Sequence, residues 1–377
     1  MNFYLLDKNL KRIEIIEQYR SFIWTNRYYT PGDFELYTPA TKSLLAKIKR
    51  DYFIMRSDDL TQAMIIQNYT ITTDVENGDY LTITGKSLKS ILERRIIWPQ
   101  TTINGNLETQ MRKLVTQNAI SPTDSNRVIS RLELGPTIGL TQTIKAQFTG
   151  DNLSEVLTEI GQTYGIGHDV KLDYENKKFK FVLLQGKNRS YNQSTNARVV
   201  FSNAFENLLT TNYAYNSENF KSLVFVAGEG QGKTRKTVQV GTGNDLNRFE
   251  IYLDARDVSS NDGAIGTNEY NQLLFERGVQ ELADKTINEE VSGEVVSNFT
   301  YKLNQNYYLG DIVEVRNDYG VRMAPRIIEV IECHDENGYT CVPTFSSDTI
   351  AASQDNIVTE TDIDITTETG ENIICEV

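Results

Sequence analysis

Apolar and polar positions alternate through most of the first 95 residues. Phe3-Tyr4-Leu5-Leu6 and Ile13-Glu14-Ile15-Ile16 flank Asp7-Lys8-Asn9-Leu10-Lys11, a hairpin signature. Phe22-Ile23-Trp24 leads through Tyr28-Tyr29-Thr30-Pro31-Gly32-Asp33, whose Pro-Gly pair predicts a turn, into the alternating Phe34-Glu35-Leu36-Tyr37. The runs Ala63 to Thr72 and Tyr80 to Thr84 are joined by Glu76-Asn77-Gly78-Asp79, and Asn-Gly between alternating runs marks a tight hairpin. Ser87 is expected to cap a short helix, with Leu88, Ile91 and Leu92 at i, i+3 and i+4. The block 1–95 reads as a small β-barrel closed by a helix.

The period changes in 96–220. Leu107, Met111, Leu114 and Val115 form a helical face after Asn106. A clearer helix follows a cap at Asp151 or Asn152, with Leu153, Val156, Leu157, Ile160 and Tyr164 on one stripe. Gly165 and Gly167 stop it. Val170 to Tyr174 and Phe179 to Val182, joined by Glu175-Asn176-Lys177-Lys178, predict a hairpin, so this block reads as α+β. From 221 to 347 alternation returns: Ser222 to Val226, Lys236 to Val240, Arg248 to Leu253, Glu294-Val295-Val296, Asp311 to Val315, Arg326 to Ile331 and Tyr339 to Val342 predict strands. One helix, carrying Leu274, Phe275, Val279 and Leu282, interrupts them. The fold class expected is therefore α+β and mainly β: two strand-rich blocks with an α+β insert.

The 348–377 tail is polar and acidic but keeps a pattern. Asp362-Ile363-Asp364-Ile365 alternates, Thr369-Gly370-Glu371-Asn372 can turn, and Ile373-Ile374-Cys375-Glu376-Val377 can pair back. The expectation is a C-terminal hairpin. A lone two-stranded hairpin is marginal in water, so it needs a surface to pack on. If several copies of the chain meet, these hairpins are expected to bury one another.

Charge sharpens this picture. Lys and Arg total 38 and Asp and Glu total 51, a net charge of −13. No Lys or Arg follows Arg326, while the last 51 residues hold twelve acids, so the body is nearly neutral and the tail carries the imbalance. Without a basic run, tight binding to DNA is not expected. The 377 residues suffice for two to four domains. The 39% hydrophobic and 24% charged content excludes collagenous, coiled-coil and wholly disordered chains. No run approaches the ~18 apolar residues of a membrane helix, and Met1-Asn2-Phe3-Tyr4-Leu5-Leu6-Asp7-Lys8 does not read as a secretory signal.

Candidate chemistry is thin. Cys333, Cys341 and Cys375 are odd in number with no CxxC spacing, so they read as free thiols rather than a disulfide frame or zinc site. His168 and His334 are the two histidines, which leaves little material for acid–base catalysis. Cys333 and His334 are sequence neighbours on a predicted strand and face opposite ways, a poor dyad. The pairs Asp254/Asp257 and Asp362/Asp364 read as solvated acids, since neither sits in a calcium-loop spacing. Ala227-Gly228-Glu229-Gly230-Gln231-Gly232-Lys233-Thr234 imitates a phosphate-binding loop, and Asp254 imitates its partner aspartate. Such a loop needs a helix directly after Lys-Thr, whose first amides hold the phosphates. Here Arg235-Lys236-Thr237-Val238-Gln239-Val240 alternates like a strand. The expectation is a glycine-rich turn between two strands.

Several fragments, in order, carry a family resemblance. They are Trp24…Tyr28-Tyr29…Gly32-Asp33-Phe34-Glu35-Leu36…Pro39, then Gly85-Lys86-Ser87-Leu88…Leu92-Glu93-Arg94-Arg95-Ile96, then Val226-Ala227-Gly228-Glu229-Gly230…Arg235 with Arg248-Phe249-Glu250-Ile251-Tyr252-Leu253-Asp254-Ala255-Arg256-Asp257, and last Tyr307-Tyr308-Leu309-Gly310-Asp311-Ile312-Val313-Glu314-Val315. Across residues 1–345 the chain resembles the tail-associated (Tal-like) baseplate hubs of siphophages, related in fold to the baseplate hub of contractile-tailed phages. The resemblance implies a hub-type homotrimer with two tube-like β-barrel domains per subunit, at 1–95 and 221–347, around an α+β insert at 96–220. Six similar barrels then match the threefold tip to the sixfold tail tube. It also implies a virion structural protein at the tail tip, assembled in the host cytoplasm. The implied partners are the distal tail protein ring, other tail and baseplate proteins and receptor-binding proteins. DNA passes through the channel without stable binding, and no stable membrane insertion is implied. The function implied is closing or guiding that channel during host attachment, with no catalytic, cofactor-binding or metal-ligating residue and no cofactor. The rival readings are a tail-associated cell-wall hydrolase and a nucleotide-binding assembly factor resting on Lys233. The first is disfavoured because the sequence shows no nucleophile or acid pair for it.

Overall fold

Strand Ser21–Arg27 has two partners that lie at opposite ends of the chain. Asp33–Pro39 pairs with it through the Pro31-Gly32 turn, and Arg326–Asp335 pairs with its other edge, with Ile23 opposite Cys333 and Arg27 opposite Glu329. This is a computed structural model, which describes residues 1–76, 78–208, 212–292, 300–320 and 322–346. The expected strand at Glu294-Val295-Val296 and the acidic segment 348–377 lie outside the described residues, as does Asn77 of the expected turn.

The resulting antiparallel sheet has eleven strands. From one edge, Asn212–Asn216, Asn288–Ser292, Gly338–Ser346 and Arg326–Asp335 lead to Ser21–Arg27. From there Asp33–Pro39, Gly78–Ser87, Ala63–Asp74, Phe53–Arg56 and Phe3–Leu6 lead to Arg12–Ile16 at the other edge. Strands of the first and last sequence blocks therefore share one sheet. Among the described residues its two edge strands do not pair with each other, so no ladder closes it into a barrel.

The alternation read from the sequence is the burial pattern of the strands. In Asp33–Pro39 the side chains of Phe34, Leu36 and Thr38 point inward, and Asp33, Glu35 and Tyr37 are more exposed. One cluster, with Phe3, Phe22, Trp24, Phe34, Leu36 and Ile83, fills the inner face. The opposite face of the short strands joins the insert: Leu6, Phe53, Met55 and Ile65 share a core with Leu107, Met111, Leu157, Ile160, Phe179 and Phe181. The α+β insert is thus packed on the first block through a common core.

Helix Leu107–Val115 starts where Asn106 caps it, its Oδ1 accepting from Thr109 N at 3.0 Å. Helix Leu153–Tyr164 is capped by Asn152 on Ser154 N at 2.9 Å, and Gly165 ends it with a left-handed φ of 67°. Asp151 instead accepts from Thr149 N. Ser87 differs from its expected role. The segment Leu88–Arg94 that follows is a 3₁₀ helix, and the Ser87 hydroxyl accepts from Gly32 N instead of capping it. Asp311 to Val315 also departs from expectation: only Glu314–Arg316 is strand, because the Asp311 carboxylate is drawn into the contacts described below. The last helix, Thr267–Ala283, covers a three-stranded sheet of Leu223–Ala227, Thr237–Gly241 and Glu250–Asp254, with Leu273, Leu274 and Phe275 against Val224, Val226 and Val240.

Candidate functional site

Tyr28 sits at the point where the three sequence blocks meet. Leaving strand Ser21–Arg27, it is fully buried, and its amide donates to the Ile328 carbonyl at 2.8 Å. Its hydroxyl donates to the Leu184 carbonyl of the insert at 2.7 Å and accepts from Gly186 N at 3.2 Å. The ring is gripped by two glycines. A Cβ on Gly167 of the insert would lie 2.4 Å from the ring, and one on Gly310 of the last block 2.2 Å from it. Gly310 also takes a φ of +95°, which side chains rarely adopt. The Arg326 guanidinium lies 5.5 Å from the ring centroid and donates to the Gly310 carbonyl at 2.6 Å.

Charged groups fasten the segments around this ring. Asp311, 2% exposed, accepts from Lys187 N at 2.7 Å, from Arg189 Nε at 2.6 Å and from Tyr308 N at 3.1 Å. That one carboxylate ties the end of the insert to the last block through charge-assisted bonds. Lys89, from the 3₁₀ segment, is sealed beneath the 27–30 loop. Its ammonium donates to the carbonyls of Arg27, Tyr28 and Thr30 at 2.8, 3.2 and 3.1 Å. Burial pulls its pKa down to about 8, against a partial upward pull from Asp169. His168 is fully buried close by, and neither ring nitrogen has a hydrogen-bond partner. Burial first, and the Lys89 charge second, hold it well below the usual imidazole range.

A second tie joins the first block to the last. Arg56 pairs bidentately with Glu332, Nη1 to Oε1 at 2.6 Å and Nη2 to Oε2 at 3.0 Å, and both side chains are 8% exposed. Asp58 holds the same guanidinium, and Tyr339 donates its hydroxyl to Glu332 at 2.8 Å. Beside the Tyr28 junction opens a cleft of about 570 Å³, walled by all three blocks: Arg27, Ser87 and Lys89 of the first, Asp169 and Lys187 of the insert, and Asp311 of the last.

The phosphate-loop look-alike resolves into a hairpin. Leu223–Ala227 and Thr237–Gly241 pair antiparallel from Leu223–Gly241 to Ala227–Thr237, and Gly232–Thr234 is one 3₁₀ turn between them. Strand Thr237–Gly241, not an α-helix, comes next after Lys233, which is exposed. Arg235 folds back onto the carbonyls of Gly228 and Ala227 and pairs with Asp254, which Arg256 also holds. Asp254, the would-be metal partner, is an arginine-paired surface acid with its pKa drawn down to about 2, first by Arg256. Asp257 lies 4.0 Å from Arg277. His334 stacks on Phe22 with centroids 6.0 Å apart. Asp362 and Asp364 lie outside the described residues. Among the described residues no three His, Cys, Asp or Glu side chains cluster as metal ligands, and no helix is long and apolar enough to cross a membrane.

Sequence reasoning assigned no site residue and missed the junction. Three of its members were in plain sight, since Tyr28, Gly310 and Asp311 all stand in the fragments that carried the resemblance. What local pattern lacks is the information that a tyrosine and a glycine 282 positions apart are in contact.

Known proteins agree with this architecture. The family model for the Siphovirus ReqiPepy6 Gp37-like protein matches residues 2–345. Among solved structures, the prophage MuSo2 43 kDa tail protein from Shewanella oneidensis superposes with a TM-score of 0.57 at 14% identity, covering 93% of this chain and 100% of that one. A tail protein from Neisseria meningitidis MC58 gives 0.55 at 11% identity over 93% and 97% of the two chains. Prophage tail protein gp18 from Listeria monocytogenes EGD-e gives 0.53 at 11% over 94% and 96%. At these identities the likeness is one of fold. No curated protein matches the sequence.

Proposed function

Because the chain belongs to the Siphovirus ReqiPepy6 Gp37-like family of phage tail proteins, we propose that it acts as a tail-tip hub. In this reading three copies form a ring and each contributes two tube-like barrels. The ring joins the sixfold tail to the threefold tip and guides or closes the DNA channel during attachment. Its role is structural, with the distal tail ring and other tail proteins as neighbours and receptor-binding proteins as further partners.

The observation that carries the reading is the eleven-stranded sheet, whose edge strands Asn212–Asn216 and Arg12–Ile16 pair with no further strand among the described residues and whose margins expose apolar groups. Strand Asn212–Asn216 is exposed along its whole length, with Tyr213 and Tyr215 on the surface. The hairpin of Ala63–Asp74 and Gly78–Ser87 projects beyond the short neighbour Phe53–Arg56, which covers only Ala63 to Ile65. Its outer half, Gln67 to Asp74, is exposed, and Tyr69 and Ile71 are each 46% accessible. Bare strand edges invite pairing with another chain unless something covers them. In a ring, neighbouring copies cover them and complete the barrels that one subunit leaves open.

The test is the mass of the purified protein in solution, followed by electron microscopy of the particle. The hub reading expects three times the 42.9 kDa chain mass and a central channel. A stable monomer at micromolar concentration, with no ring in virions, refutes it. Zymography on host cell walls separates it from a hydrolase, which clears the substrate where a hub does not.

A further inference from the structure

The cleft beside Tyr28 is electropositive in a protein that is otherwise neutral to acidic. Five of its wall residues are basic, namely Arg27, Lys89, Lys171, Lys187 and Arg189, against two acids, Asp169 and Asp311. Three of those cations are already engaged: Arg27 by Asp33 and Glu329, Arg189 by Asp311, and Lys89 by three carbonyls. Lys171 and Lys187 form no ion pair among the described residues, and Lys187 is exposed. Between the charges lie apolar groups open to solvent, Ile138 at 40% and Tyr308 at 44%. A partner that fits this wall is an extended peptide with acids on one side and aliphatic side chains on the other.

The chain contains such a segment. Residues 348–377 hold eight acids and no base, and Asp362-Ile363-Asp364-Ile365 alternates the two residue types at strand period. We propose that the cleft is the docking site of this chain's own acidic segment 348–377, with Asp362 and Asp364 against Lys171 and Lys187 and the isoleucines against Ile138 and Tyr308. Reach is sufficient. Strand Gly338–Ser346 ends opposite Arg326, and its Pro343 stands opposite Val330, a wall residue of the cleft. From Ser346 to Asp362 an extended chain spans up to about 55 Å. Tethering also raises the local concentration of the segment to the millimolar range, so weak charge pairing is enough to hold it. The site offers the acidic segment a surface to pack on, and it does not depend on the ring proposed above.

Hydrogen exchange on the full-length chain tests this through the cleft amides of 185–189 and 303–309. In the parent they are expected to exchange more slowly than in a full-length variant carrying D362N, I363S, D364N and I365S, and the difference is expected to fade as salt rises to about 0.5 M. K171E/K187E should show the same loss, and adding D362K/D364K to it should restore protection. The tail variant changes nothing inside the described core, so it remains informative even if the lysine reversals disturb folding. A labelled 355–377 peptide should bind the tail variant at least about tenfold more tightly than it binds the parent, whose own segment occupies the cleft. Unchanged exchange in the tail variant overturns the proposal, as does failure of the charge swap to restore it. Equal binding of polyaspartate overturns it too, because the cleft then accepts acidic chains without regard to this segment.

Discussion

Gly310 has no room for a side chain. Its φ is positive, and the Tyr28 ring stands where a Cβ would go. Gly310→Ala combines overpacking, at about 1–3 kcal/mol, with about 1–2 kcal/mol for the left-handed backbone. The expected loss of stability is about 2–5 kcal/mol, read as a lower urea midpoint. His168 at the same junction acts through protons. Its ordinary value is 6.5, and the folded chain holds it well below that. Below pH 6.5 the unfolded chain therefore binds a proton that the folded chain refuses, so stability falls as pH drops through that value. His168→Leu removes the group and its two unpartnered nitrogens. The urea midpoint should then vary less between about pH 7.5 and about pH 5.5 and should rise most at the acid end. A parent and variant with parallel pH profiles would show that His168 is not the titrating group.

Between elements, the Arg56–Glu332 pair joins strand Phe53–Arg56 to Arg326–Asp335 with almost no exposure to water. Removing one partner strands a buried charge, so Arg56→Ala should cost about 3–5 kcal/mol. Replacing both with methionine removes the stranded charge and should recover most of that loss, which denaturation of the single and double variants measures. The elements themselves were largely legible in the sequence. Asn106 and Asn152 announce helix starts and Gly165 a helix end, because a cap is a contact within three residues. Gly78 marks its hairpin for the same reason. Ser87 misled because a serine before an apolar i, i+3, i+4 set has the pattern of a cap, whereas its hydroxyl is taken by Gly32, 55 positions earlier. Asp311 misled in the same way, through Lys187 and Arg189.

Across the whole molecule, legibility declines further. Alternation shows that Ser21–Arg27 has one inward face, but period two does not say which strand lies beside it. The mainly β class could be read; the shared sheet of the first and last blocks, and the core shared by the first block and the insert, could not. That sheet has a consequence for synthesis. One edge of Ser21–Arg27 stays bare until Arg326–Asp335 exists, some 300 residues later, as the Arg27–Glu329 contact at a separation of 302 shows. The earliest part of the polypeptide to leave the ribosome is among the last to be completed. Long-range pairing of this kind is slow, and uncovered strand edges aggregate. A nascent chain stalled at residue 320 should therefore leave its first block sensitive to protease, and one extended well past residue 346 should protect it. If the stalled chain is already resistant, the first block matures alone. Otherwise a prematurely terminated copy carries an open strand edge wherever it goes, and the cell that makes this protein has reason to finish each chain before it lets any copy assemble.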